Sequence, residues 1–189
     1  GAESKVTTEM KDGQVTRAYV TRVPFGPRGI WATVDTLILA ADTERFGFSL
    51  YTAAGSLVRT VHRAHRPVPV AEADLERHIL DVTGRLRGSP EVIAGEVARL
   101  RGIPLPKTKP AFDQLLVRTN GEIWIREQLE PFHRDRPGRW AVFTQGGEWL
   151  TNVEMPIGLD VKWIGAEEII GIWLDPDDVA QLRVYRIRP

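Results

Sequence analysis

His62 and His65 are the residues whose type and spacing most suggest metal chemistry. They are the two closest histidines in the sequence, and imidazole is a common zinc ligand. A step of three residues in a loop is poor metal geometry, however, and the first carboxylate that follows them is Glu72. We therefore interpret this stretch as a solvated basic loop with neighbouring arginines, and we predict no metal site.

Two other polar stretches carry residue types suited to catalysis or ion binding. His133 beside Asp135 has the composition of an acid–base pair, although a mobile polar loop explains the stretch better. Asp175, Asp177 and Asp178 suggest a calcium loop, but they lack the regular alternation and the distant glutamate of an EF-hand. We predict a turn there, and we assign no catalytic residue.

The six tryptophans invite a carbohydrate-binding interpretation, because indole faces stack on sugars. Three of them stand in strand positions that are expected to be buried, and two occupy repeat positions held elsewhere by Phe48 and Leu57. The first three are Trp124, Trp163 and Trp173, and the other two are Trp140 and Trp149. Core packing therefore explains most of them.

Composition and missing signatures exclude several classes of function. There is no Gly-x-Ser-x-Gly, no phosphate loop and no dinucleotide fingerprint, so we predict no cofactor. The absence of cysteine removes disulfides and thiolate metal sites. With 25 basic and 25 acidic residues the net charge is zero, which argues against nucleic acid as a partner. No apolar run is long enough for a membrane span, and residues 1–14 are too polar for a signal peptide.

The elements that must position these residues come from an internal repeat of hairpins. Residues 51–61 align without gaps on residues 143–153, at a constant offset of 92. In each copy apolar residues alternate on both sides of a turn glycine, as two antiparallel strands require. A second set of hairpins lies at residues 31–40, 115–125 and 161–173, one of them with an Asn-Gly turn. Three copies of a strand-rich unit are therefore predicted.

Residues 66–109 change from a strand period to a helical period. The apolar stripe of the first predicted helix comprises Leu75, Ile79, Val82 and Leu86. Its carboxylates, which we place on the solvent face, are Asp74, Glu76 and Asp81. Ser89 and Pro90 begin a second helix as N-cap and first helical residue, and Gly102 ends it. The region is therefore a two-helix insert between strands.

Two successive hairpins per repeat give four short strands, which is the pattern of a β-propeller blade. We predict a mainly β, propeller-like fold in a single partial domain over residues 1–189, with three four-stranded antiparallel blades. The segments are 14–65 for the first blade with an N-terminal closing strand, 66–109 for the helical insert, 110–156 for the second blade and 157–189 for the third. Because only three strands are evident in the third blade, Val15 to Val23 is the candidate for its fourth strand.

Several structural motifs, spread over nearly the whole chain, together resemble a known group. They are residues 23–26 (Val-Pro-Phe-Gly), the 51–61 hairpin, the two-helix insert, residues 120–125 and residues 184–188. The group is the six-bladed β-propeller proteins related to the NHL and TolB-like families of the bacterial cell envelope. The resemblance implies a C-terminal half with three blades in a periplasmic or secreted protein. It implies no catalytic residue, because such families range from binding scaffolds to lactonases and lyases.

Two classes of function stay open. The preferred one is a noncatalytic binding or assembly module that contacts a protein partner or forms a homodimer, two copies completing a six-bladed ring. The alternative is a propeller hydrolase or lyase with its site at the central channel. For such a site the innermost strands offer mainly Arg28, Asp113, Asp160 and Lys162, a thin provision that favours the first class.

Overall fold

The computed structural model describes residues 4–11, 14–128, 136–175, 177 and 179–187. Over these residues the chain is mainly β, as predicted, and contains two helices. The strands are β1 Ser4–Lys11, β2 Gln14–Arg22, β3 Gly29–Val34, β4 Leu37–Asp42, β5 Gly47–Tyr51, β6 Leu57–His62, β7 Phe112–Val117, β8 Ile123–Glu127, β9 Gly138–Phe143, β10 Trp149–Met155, β11 Leu159–Ile164, β12 Glu168–Leu174 and β13 Ala180–Arg186. The helices are α1 Glu72–Gly84 and α2 Pro90–Arg101.

The chain divides into two compact units. The first unit combines residues 1–28 with residues 66–110, so that the N-terminal strands group with the helices. The second unit combines residues 29–65 with residues 111–189 and contains the remaining strands. Each unit is described by itself below.

In the first unit, β1 and β2 form an antiparallel hairpin that runs from Ser4 opposite Arg22 to Lys11 opposite Gln14. β2 is the strand that the sequence offered as a fourth strand for the third blade, and its partner in the structure is β1 instead. The sequence contains a physical reason for this pairing. β1 and β2 are neighbours along the chain, and a local partner is closed at lower entropic cost than a distant one.

The two helices pack around a small core of their own. Its buried members are Val23, Ile79, Leu100 and Ile103, with Leu75, Val82 and Val97 packed against them. The second helix begins at Pro90 after Ser89 and ends before Gly102, which confirms the predicted boundaries. Proline suits the first helical position because it has no backbone N–H to leave unpaired.

Asp74 does not lie on the solvent face of α1, and that prediction was wrong. Its side chain is buried, with one carboxylate oxygen 3.0 Å from the Lys109 ammonium. The other oxygen accepts the backbone N–H of Ala71 at 2.8 Å, which caps the start of the helix. Burial raises the pKa of Asp74, but the Ala71 hydrogen bond and the charge of Lys109 outweigh it and hold that pKa below its ordinary value. Glu76 and Asp81 stay at the surface in ion pairs with arginines.

The second unit contains three antiparallel sheets. The first sheet has the strand order β3-β4-β5-β6, the middle sheet β7-β8-β9-β10, and the third sheet β11-β12-β13. Each predicted hairpin of the second set forms the first two strands of one sheet, which confirms that set. Within the described residues the third sheet has three strands rather than four, and β13 is an edge strand.

The 92-residue repeat is confirmed at the level of its turns. Gly55 and Gly147, one repeat apart, have φ of 83° and 85°, in the left-handed region that favours glycine. Thr52 donates its N–H to the carbonyl of Ser56 at 2.9 Å, and Thr144 donates to Glu148 at 2.8 Å. The Asn-Gly hairpin uses the same turn, with only its glycine at positive φ. It is therefore a three-residue loop with a glycine bulge rather than a two-residue Asn-Gly turn.

The middle sheet packs between the other two sheets through two separate apolar cores. One core joins it to the first sheet and contains Phe48, Leu50, Ile123 and Phe143 among its buried members. The other joins it to the third sheet and contains Trp124, Trp140, Val161 and Ile169. The first strands of the sheets also adjoin, since β7 contacts both β3 and β11. The three sheets therefore form a continuous stack.

Candidate functional site

The three sheets of the second unit can be compared position by position, because their cross-strand pairs are equivalent. The pairs are Leu39 with Leu50, Trp124 with Val142, and Ile170 with Val184. We call the side of each sheet that carries its pair the forward face, and the opposite side the backward face. In the stack, the forward face of the first sheet packs on the backward face of the middle sheet, and the forward face of the middle sheet packs on the backward face of the third.

The forward face of the third sheet has no sheet packed on it within the described residues. Leu182 is 73% exposed and Val184 is 55% exposed, although both are large aliphatic residues. The positions equivalent to Leu182 are Phe48 and Trp140, which are both buried in the stack. Other apolar residues on this face are Trp163, Ile170, Ile172 and Leu174. The face is thus a contiguous apolar surface of the kind that marks an interaction site.

The backward face of the first sheet is open in the same way. Trp31 is 76% exposed, whereas the equivalent residues Leu115 and Val161 are buried. Ile38 is also exposed on this face, beside the half-buried Tyr51 with which it pairs. The stack therefore ends in two unlike apolar faces, and each has buried counterparts in both of the other sheets.

A groove of about 410 Å³ lies on the first sheet. Small backward-face residues line it, namely Ala40, Gly47, Ser49 and Thr60. The Ser49 and Thr60 hydroxyl oxygens are 3.1 Å apart and hydrogen-bonded. Charged and ionisable residues also line it, namely Asp42, Glu44, Arg45 and His62. The groove gives this face room to receive larger side chains.

His62 and His65 lie in different surroundings. His62 is exposed and lines the groove. His65 stacks on Phe46 with ring centroids 5.8 Å apart, and the Arg63 guanidinium lies 5.7 Å from the same ring. Across the part of the chain that the structure describes, no group of three or more histidine or carboxylate side chains is placed to hold a metal ion.

Three residues that the sequence offered for an inner-strand site do come together, around an arginine that it missed. Arg126 lies 2.6 Å from the Asp113 carboxylate and 3.4 Å from the Asp160 carboxylate. Lys162 lies 2.6 Å from the other oxygen of Asp160. Arg28 belongs to the first unit. Both carboxylates are engaged by cations, so this network joins the middle and third sheets as a structural contact.

The tryptophans divide between core and surface. Trp124 and Trp140 are buried as predicted, with ring centroids 6.4 Å apart. Trp173 is half-buried, with the Arg183 guanidinium 3.5 Å from its ring centroid. Trp163 is exposed, so its predicted burial was wrong, and Trp149 is exposed like Leu57 at the repeat position that it shares. For Trp163 the cause is a register shift in β11 after Val161, which turns the indole onto the forward face.

The acidic stretch near residue 175 forms a turn, as predicted. The Asp175 carboxylate accepts the backbone N–H of Asp177 at 3.0 Å and that of Val179 at 2.9 Å. This is the local side-chain to backbone bonding typical of an aspartate in a turn. His133, Asp135 and Asp178 lie outside the described residues.

Neither helix of the described chain is both long and apolar enough to cross a membrane.

Comparison with known proteins adds no family to this description. A scan against models of protein families gives no match, and a search of curated proteins also finds none.

Proposed function

We propose that this chain is a noncatalytic binding and assembly module, a half β-propeller whose two outer sheet faces dock onto a protein partner that itself presents β-sheet. One observation carries the proposal. The same positions are buried in two sheets and exposed in the third, so the outer faces have the composition of an interior surface. Phe48, Trp140 and Leu182 show this most clearly.

The arrangement of strands supports a propeller for this module. Each sheet begins with the strand that adjoins its neighbours, since β3, β7 and β11 are next to one another. Blades of a propeller meet along their first strands in this manner, and successive blades pack face to face. We further propose a periplasmic or extracellular setting, which rests on the sequence resemblance alone.

The polar residues favour binding over catalysis. Asp113 and Asp160, the carboxylates nearest to the first strands, are both held in ion pairs with Arg126. These ion pairs satisfy the charge of both carboxylates and give them a structural role between two sheets. The apolar outer faces, by contrast, need no rearrangement to bind.

Polar substitutions on the outer faces test the proposal. The variants are Leu182→Glu on the third sheet and Trp31→Glu on the first, with Val92→Glu on α2 as a control at another exposed apolar residue. The readouts are urea unfolding and the fluorescence of 8-anilinonaphthalene-1-sulfonate, a dye that binds accessible apolar surface. The dye is titrated as the protein is diluted, because a bound copy on the face would exclude it.

If the faces are docking surfaces, each face variant loses the part of the dye signal that its own face contributes, while its free energy of unfolding stays within about 0.5 kcal/mol of that of the original chain. The Val92 variant keeps the dye signal. A loss of about 2 kcal/mol or more in either face variant, measured at a protein concentration low enough for the monomer, would show that the face is covered from within the same folded chain, and that result would overturn the proposal.

A further inference from the structure

We infer that the partner is a second copy of this chain, bound head to tail, with the forward face of the third sheet on the backward face of the first sheet of the other copy. This rests on the proposed function, because it names the occupant of the same two faces. Two such contacts, related by a two-fold axis, would join the copies.

The contact continues a packing step that the chain already makes twice. The first sheet places its forward face on the middle sheet, and the middle sheet places its forward face on the third. The third sheet has the next forward face, and among the three described sheets of the second unit the unoccupied backward face belongs to the first sheet. A second copy therefore supplies the kind of surface that each forward face inside the chain already meets.

Residue equivalence predicts which side chains meet. At the interface of the first and middle sheets, Phe48 contacts Phe143 edge to face, with ring centroids 5.7 Å apart. Leu182 is the equivalent of Phe48 on the open forward face, and Tyr51 is the equivalent of Phe143 on the open backward face. The inferred contact thus places Leu182 of one copy against Tyr51 of the other.

Side-chain sizes on the two open faces are complementary. At the first interface the forward position Ala41 is small, and the backward position Ile125 is large. On the open faces these sizes are exchanged, since the equivalent forward residue is Ile172 and the equivalent backward residue is Ala40. The groove lined by Ala40 and Ser49 therefore lies where the bulkier forward face would need room.

The number of sheets determines the size of the assembly. A chain with two different complementary faces forms a closed ring or an open filament. Closed propellers have about four to eight blades. Within the described residues the second unit of one copy provides three sheets, which is too few for a closed ring, three copies provide too many, and two copies provide six. The contact therefore closes as a dimer.

Thiol cross-linking tests both the occupant and the orientation, and the absence of native cysteine keeps the background low. Tyr51→Cys and Leu182→Cys are made separately, mixed, and treated with a short bis-maleimide that reaches across the roughly 10 Å between packed sheets. Val92→Cys mixed with Leu182→Cys is the matched control. The products are identified by mass spectrometry, and the mass of the unmodified chain is measured by light scattering at micromolar concentration.

Cross-linking of Tyr51→Cys to Leu182→Cys at least tenfold above the control mixture, together with twice the monomer mass, is the expected result. Efficient cross-linking between two Leu182→Cys molecules would show that the third-sheet face of one copy binds the same face of another copy. That result would overturn the head-to-tail arrangement. A monomeric chain whose faces still bind the dye would overturn the second copy as occupant and leave the docking function standing. Dye binding that is independent of the faces would remove the proposed function itself.

Discussion

The middle sheet and the third sheet hold equivalent residues in opposite environments. Trp140 of the middle sheet is 1% exposed, whereas Leu182 at the same position of the third sheet is 73% exposed. Val142 and Val184 are the same amino acid at equivalent positions, and only the first is buried. Burial here is therefore decided by whether a neighbouring sheet is present, and not by residue type.

The largest expected effect comes from truncating this pair of positions. Trp140→Ala removes a fully buried aromatic side chain between two sheets and is expected to cost about 3–5 kcal/mol of unfolding free energy. Leu182→Ala is expected to cost less than about 0.5 kcal/mol, because its side chain has no core to leave empty. Urea unfolding at a protein concentration low enough for the monomer measures both. Equal losses would mean that the third sheet is covered within the chain.

The repeat and its turns could be predicted from the sequence because their causes are local. An apolar alternation on either side of a glycine is visible within eleven residues, and Gly55 and Gly147 adopt the conformation that such a turn requires. The second helix was predictable for the same reason, since Ser89, Pro90 and Gly102 lie at its own ends.

What could not be predicted depends on residues that are distant along the chain. The burial of Asp74 requires Lys109, which lies beyond the second helix in the sequence and pairs with it at 3.0 Å. The exposure of Trp163 requires a register shift in β11 that no periodic pattern reveals. Arg126 joins Asp113 to Asp160 across two sheets, and neither strand pattern indicates that neighbour.

A smaller difference in unfolding free energy is expected when the two repeated turn glycines are each replaced by alanine. A Cβ on Gly147 would lie 2.3 Å from the Val61 Cγ2 atom of the first sheet, whereas a Cβ on Gly55 would meet nothing within 4 Å. Both glycines have positive φ, so alanine at either position costs about 1–2 kcal/mol in conformation. Gly147→Ala is expected to cost about 1–3 kcal/mol more, because it also overpacks the contact between sheets.

Thermal and urea unfolding of the two alanine variants measure this difference directly. The Gly55 variant is the matched control, since it carries the same substitution in the same turn without a facing sheet. If Gly55→Ala loses as much unfolding free energy as Gly147→Ala, the turn at Gly55 is also packed against another part of the molecule. The predicted difference between the two turns would then be wrong.

The smallest expected effect is a pH dependence of stability that arises in the middle sheet. Glu122 is partly buried there and accepts hydrogen bonds from Arg118 at 3.0 Å, Asn120 at 2.9 Å and the Trp124 indole at 3.2 Å. Burial raises the pKa of Glu122, but these donors and the charge of Arg118 outweigh it, so the pKa lies below its ordinary value. Arg118 also donates to the Gly165 carbonyl of the third-sheet segment at 2.9 Å, so the carboxylate supports a contact between sheets.

A lowered carboxyl pKa gives stability that is fully present above the pKa of the unfolded chain, about 4.3, and is lost as the pH falls through the folded-state pKa. Glu122→Gln is therefore expected to cost about 1 kcal/mol at neutral pH, and this loss should shrink as the pH falls below about 4. Glu168→Gln changes the equivalent position of the third sheet, which is exposed, and should cost less than about 0.5 kcal/mol. Urea unfolding of both variants between neutral and acidic pH measures the contrast. A loss at Glu122 that does not change with pH would assign its contribution to side-chain packing rather than to charge.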